Sequence, residues 1–115
     1  MKILFVHQNF PGQFLNVAPA LARRGHDVLA LTVNTNPRKF EVNSARYQYT
    51  GKDIKAETFG LAVRFAEASK RGADAAMTAA QLRKSGYEPD IIFSHIGWGE
   101  GLFLKEVWPR AKKIV

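Results

Sequence analysis

KILFVHQNFPGQFLNVAPALARRGHDVLALTV, residues 2–33, decides how this chain folds. Lys2 to Val6 is a short, partly β-branched apolar run closed by polar and turn-forming residues, the pattern of a parallel strand covered on both faces. Gln8 to Gly12 reads as a loop. From about Gln13 onward Phe14, Val17, Ala18, Leu21 and Ala22 recur at i, i+3, i+4, i+7 and i+8, which marks one face of a helix. Arg23 and Arg24 suit the negative end of its dipole, and Gly25 is placed for a left-handed cap. Pro19 falls inside the periodic stretch, where it would remove a backbone bond, and predicts a kink or a local 3₁₀ turn. Val28 to Val33 is a second near-continuous apolar run. Strand, helix and strand in this order imply a parallel pair joined by a right-handed crossover.

The rest of the chain extends that unit. Asn34 to Asn43, with Pro37, reads as loop, and Ala45 to Tyr49 alternates as a weaker third strand. About Glu57 to Ser85 has no proline and is rich in alanine, which favours a long helix or two abutting ones. Phe65, Ser69, Gly72, Ala76, Ala79 and Ala80 give it a stripe of small residues for packing on a sheet, with Arg64, Glu67, Arg71, Asp74, Arg83 and Lys84 on its wet face. Gly86 ends the helix and Pro89 blocks its continuation. Ile91 to Phe93 is a fourth strand, Ser94 to Gly99 a glycine-bearing loop, and about Glu100 to Val107 a short helix that Pro109 terminates. Lys113 to Val115 begins a further strand with no closing helix after it. The expected fold class is α/β, a Rossmann-like three-layer sandwich with a mostly parallel sheet, truncated; residues 1–115 are read as one domain fragment. Its final strand would offer an unpaired edge for self-association.

Composition narrows the function. With 115 residues, 46% apolar and 23% charged, the chain is sized for one hydrophobic core. It has no cysteine, so a disulfide framework, a thiolate zinc site and a cysteine nucleophile are all excluded. The apolar run after Lys2 stops at His7, well short of the roughly 7 to 15 residues of a secretory signal core. A cytoplasmic location is expected, with peripheral contact on the inner membrane face at most. The net charge of +7 comes from 17 Lys and Arg against 10 Asp and Glu. Basic residues fall in scattered pairs such as Arg23 with Arg24 and Lys112 with Lys113, without aromatic interleaving. That pattern favours a solvated basic surface over a specific nucleic-acid site.

In an open parallel sheet, ligands gather where the strands end at their carboxyl termini. Two loops have the composition for that position. In His7 to Gly12 the glycine lets an oxygen-rich ligand approach the backbone, with the amides of the next helix aimed at an anion. The loop lacks the three-glycine dinucleotide fingerprint and the phosphate-loop lysine, which argues against a dinucleotide or a nucleoside triphosphate. In the second loop His95 can donate or accept a proton near neutral pH, and Glu100 is a carboxylate at a helix start. His7 and His95 follow strands of one sheet and can converge, but the spacing of the three histidines does not point to a metal. No serine sits in a nucleophile elbow.

The opening fourteen residues from Met1 to Phe14, the Leu-Ala-Arg-Arg-Gly-His-Asp-Val segment Leu21 to Val28, Pro89-Asp90, and His95 with Gly97-Trp98-Gly99-Glu100 together resemble the N-terminal domain of glycosyltransferase family 4, which has the GT-B fold. The resemblance spans essentially the whole chain. It implies metal-independent transfer of a sugar from a nucleotide-sugar donor to a hydroxyl acceptor, with no cofactor, in a cleft between two Rossmann-like domains. The N-terminal half mainly holds the acceptor. Its first loop, here Asn9, Phe10, Pro11 and Gly12, would meet the donor's phosphates or sugar, although the proline departs from the two glycines of many relatives. His95 would contact the transferred sugar as the catalytic residue, with Gly97, Trp98 and Glu100 on the substrate side. The C-terminal donor-binding domain is the implied partner, and without it these residues are expected to be inactive. Two alternatives remain at this point: a non-catalytic α/β binding module that uses its basic surface, and one half of a nucleotide-sugar epimerase.

Overall fold

The structure, a computed structural model, describes residues 1–52 and 60–115. Five strands form one sheet: β1 (Lys2–Val6), β2 (Asp27–Val33), β3 (Asn43–Tyr47), β4 (Ile91–Ser94) and β5 (Lys112–Ile114). Their order is β3-β2-β1-β4-β5 and every pairing is parallel. The sheet reverses direction of growth at β1, which pairs with β2 on one side and β4 on the other. This is the Rossmann-like arrangement expected, with a crossover helix on each face.

The period of two along each strand divides the core. Leu4, Val6, Leu31, Tyr47 and Ile92 point to the face covered by helices α2 (Gly60–Lys84) and α3 (Leu104–Val107), where they meet Ala75, Ala79, Leu104 and Trp108. Ile3, Phe5, Val28 and Ala30 point to the opposite face and pack on Phe10, Phe14 and Ala18, the last from α1 (Val17–Arg23). Phe5 stacks on Phe93 there at 5.0 Å between ring centroids. Burying side chains of this size supplies about 1.5–3 kcal/mol each and fixes which face every strand residue takes.

Four local expectations change. The first helix does not begin near Gln13: a 3₁₀ turn (Gly12–Phe14) comes first, and α1 starts only at Val17. Pro19 therefore lies in the first turn of α1, where no amide has an intrahelical partner to lose, and it causes no kink. The third strand runs two residues earlier than its alternation suggested, over Asn43–Tyr47, because parallel register with Leu29–Val33 selects that segment. The short helix is confined to Leu104–Val107, preceded by a 3₁₀ turn (Ile96–Trp98). In α2 the buried stripe is Gly72, Ala75 and Ala79, while Phe65 is exposed. Asp74, assigned to the wet face, is buried; it accepts from the Thr50 amide at 2.8 Å and from the Thr50 hydroxyl, and pairs with Lys70 at 3.4 Å. The predicted start of this helix at Glu57 lies outside the described residues.

Both longer helices end alike. The amides of Gly25 and His26 return to the carbonyls of Ala22 and Leu21, and those of Gly86 and Tyr87 to Arg83 and Leu82, with positive φ at each glycine. Among the described residues no helix is long and apolar enough to cross a membrane.

Candidate functional site

Parallel pairing of β1 with β4 sets Val6 beside Ser94, so the loops that follow them emerge together at one rim. His7 and His95 continue the odd-numbered alternation toward the α1 face, and their rings stand 5.8 Å apart at 64°. Each imidazole is held the same way. The Asn9 amide donates to His7 Nδ1 at 2.9 Å, and the Gly97 amide donates to His95 Nδ1 at 3.0 Å. A neutral ring that accepts at Nδ1 carries its proton on Nε2, which fixes both tautomers by inference from these bonds.

The two rings differ in access. His7 is buried, edge-on to Phe14, and its Nε2 lies against Gly12: a Cβ on that glycine would sit 2.7 Å from it. Gly12 also has φ of +49°, so both the space and the backbone demand glycine. Burial, and after it the charges of His95 and Arg38, hold the His7 imidazole below its usual value. His95 is only half-buried, and among the described residues its Nε2 has no partner. It is the donor left available at the rim. Trp98 is exposed beside it at 6.0 Å, and Gly97 is exposed as well.

On the α2 face the same rim is underpinned by a carboxyl. Glu100 is fully buried; its Oε1 accepts from the Gln8 amide at 2.8 Å and its Oε2 from the Tyr47 hydroxyl at 2.7 Å. Burial pushes its carboxyl up to about 7, against the opposing pull of the Tyr47 and Gln8 bonds and of Arg71. Burial first, and the adjacent Glu100 second, drive the Tyr47 phenol far upward. Expected as a helix-start carboxylate, Glu100 instead precedes α3 by several residues and reaches the rim through Gln8 rather than by its own surface.

The first loop is tied down on all sides. Thr32 donates to the Gln8 carbonyl at 2.8 Å, Asn36 to the Phe10 carbonyl at 2.8 Å, and Arg38 to the Asn9 carbonyl at 3.2 Å. Phe10 itself is a core residue, 4.9 Å from Phe40 between ring centroids, so it meets the rim through its backbone alone. Pro11 is half-buried and lines a separate cavity of about 360 Å³ with Leu15, Pro19 and Phe40. The second loop is clamped to α2. Gly99 has φ of +85°, and a Cβ there would overlap the Ala68 carbonyl; a Cβ on Gly72 would come within 2.6 Å of the Gly99 oxygen. Arg71 Nη1 donates to the Trp98 carbonyl at 2.9 Å.

Basic side chains are used as such carbonyl donors throughout. Arg46, Arg83, Lys105 and Lys113 bond to the carbonyls of Asn36, Val107, Ala111 and Gly101. Part of the positive excess thus has an internal structural use, holding backbone carbonyls of neighbouring loops.

The structure therefore brings His95, Gly97 and Trp98 together with Asn9 and Gly12 at one rim, and sets Phe10 and Glu100 beneath it. Sequence reasoning missed Tyr47, Thr32, Asn36 and Arg71. The one available signal was the parity of β3, which aims Tyr47 at the core. A model of the glycosyl transferase family 4 group matches residues 24–115. No curated protein matches the chain.

Proposed function

Because this chain belongs to the glycosyl transferase family 4 group, we propose that it forms the N-terminal, acceptor-side domain of an enzyme that moves a sugar from a nucleotide-sugar donor to a hydroxyl acceptor. The observation that carries the reading is the meeting of two fixed imidazoles where the ends of β1 and β4 lie side by side, with His7 packed under Gly12 and His95 left open. The His95 Nε2–H donates to an oxygen of the transferred sugar as charge develops there, with Gly97 and Trp98 exposed on the same loop beside it. Gly12, following Pro11, lets the donor approach the backbone, and Asn9 holds the His7 ring in its tautomer. Glu100 acts as a positioning residue: through the Gln8 amide it sets the height of the loop that carries Asn9 to Gly12.

In this reading the donor's nucleotide is held by a second, C-terminal domain that is not among these 115 residues, and transfer needs neither metal ion nor cofactor. The enzyme works in the cytoplasm, with contact at the inner membrane face where the acceptor requires it. The 115 residues alone then transfer no sugar. In the protein joined to its donor-binding domain, His95→Ala lowers turnover at least about tenfold, the low end for a lost transition-state contact. Unchanged turnover removes His95 from the site.

A further inference from the structure

On the α2 side of the rim lies a cleft of about 250 Å³ between the ends of β1, β2 and β3. Gln8, Asn9, Thr35 and Gln48 supply neutral polar groups to its wall, and Lys52 and Arg71 supply charge. Among the described residues no carboxylate lines it. Arg71 is pre-organised: its guanidinium carbon stands 4.9 Å over the Tyr49 ring, and one of its N–H groups is spent on the Trp98 carbonyl. An arginine has five such donors in a planar fork, so others remain to bind an anion in two-point fashion. Among the described residues neither Arg71 nor Lys52 takes part in a salt bridge; the pairs formed are Lys70 with Asp74 and Arg83 with Glu88. Glu67 lines a neighbouring cavity together with Arg71 and Trp98.

We propose that this cleft takes the phosphate of a phosphorylated acceptor, with the side-chain amides of Gln8, Asn9 and Gln48 placed to bond the hydroxyls of the attached ring. The inference rests on the acceptor-side reading above and names the class of acceptor. The same chemistry could reach the cleft from the diphosphate of a nucleotide-sugar donor. Position favours the acceptor, because the cleft opens on the α2 face whereas Gly12 and the histidines, where the donor is placed above, lie on the α1 face. The sheet rim separates the two.

The test is titration of the 115-residue chain with glucose 6-phosphate, glucose, inorganic phosphate and uridine diphosphate, followed by backbone amide shifts. Glucose 6-phosphate and inorganic phosphate are expected to shift Asn9, Thr35 and Gln48, and glucose at the same concentration to leave them in place. Arg71→Gln and Lys52→Gln each weaken phosphate binding about tenfold, the scale of one lost charge-assisted bond. Lys52→Gln guards against misfolding, since Lys52 makes no hydrogen bond among the described residues. Arg83→Gln removes the same charge near the far end of α2 and leaves binding unchanged. Equal weakening by Arg83→Gln, shifts confined to Gly12–Phe14, or no response to either phosphate overturns the proposal. Binding of uridine diphosphate alone in the cleft overturns the acceptor assignment. None of these results touches the His95→Ala turnover assay, so the transferase reading stands or falls separately.

Discussion

On the α1 side the rim ends in two imidazoles, one sealed under Gly12 and one open; on the α2 side it ends in a buried carboxyl backed by a phenol, with two cations around a cleft. The first side presents groups outward, and the second mostly holds the backbone that presents them. Their responses to pH have opposite signs. Glu100 prefers its proton in the folded protein, so its contribution is present at low pH and is lost as pH rises from 4.5 through about 7. His7 prefers to be neutral when folded, so its contribution is present above 6.5 and is lost as pH falls through its lowered folded value. In mildly acidic solution the two act in opposite directions and partly offset.

The contrast breaks most severely if the two loops are unclamped. Gly99→Ala adds a Cβ where the Ala68 carbonyl already sits and forces a side chain into a left-handed backbone. A loss of roughly 2–4 kcal/mol is expected in urea unfolding. An unaltered midpoint would mean that the loop is not pinned to α2. Next comes the carboxyl. Glu100→Gln can still accept from the Gln8 amide, turns the other bond round so that its NH2 donates to the Tyr47 oxygen, and cannot ionise, so it should abolish a decline of about 3 kcal/mol between pH 4.5 and about 7, the equivalent of its upward displacement. Melting temperatures across that range decide the matter, and a slope equal to that of the parent protein would place the titration elsewhere. The smallest effect belongs to His7→Gln. It should flatten the acid limb below pH 6.5 and leave the neutral limb alone; an acid limb as steep as before would acquit His7.

The α1 side was legible from sequence because its residues are contiguous or tied to strand ends. A buried run that stops at His7 and another that stops at Ser94 are enough to put His7, Gly12 and His95 at one rim once the strands are parallel. The α2 side was not. Tyr47 and Glu100 are 53 positions apart, and β3 reads Asn-Ser-Ala-Arg-Tyr, too polar to announce which residue turns inward. Arg71 looked like one of several solvated charges on α2, since nothing in a helical period says that the carbonyl of Trp98 waits above it. Pro19 shows a different limit. Periodicity ran on through Phe14 although the helix did not, because a 3₁₀ turn keeps nearly the same apolar spacing as the helix it precedes.

β1 occupies the middle of the sheet, and it precedes the other four strands along the chain. Its neighbour β2 follows within a few tens of residues, but the other flank is closed only by β4, with Lys2 and Asp90 meeting across 88 positions of chain. Until β4 is in place Leu4 to Val6 have an uncovered side, so a partly synthesised chain that stops short of Ile91 exposes a strand edge. Closing the second flank of β1 thus waits for four residues, Ile91 to Ser94, and the entropy of that long loop closure is built into the topology.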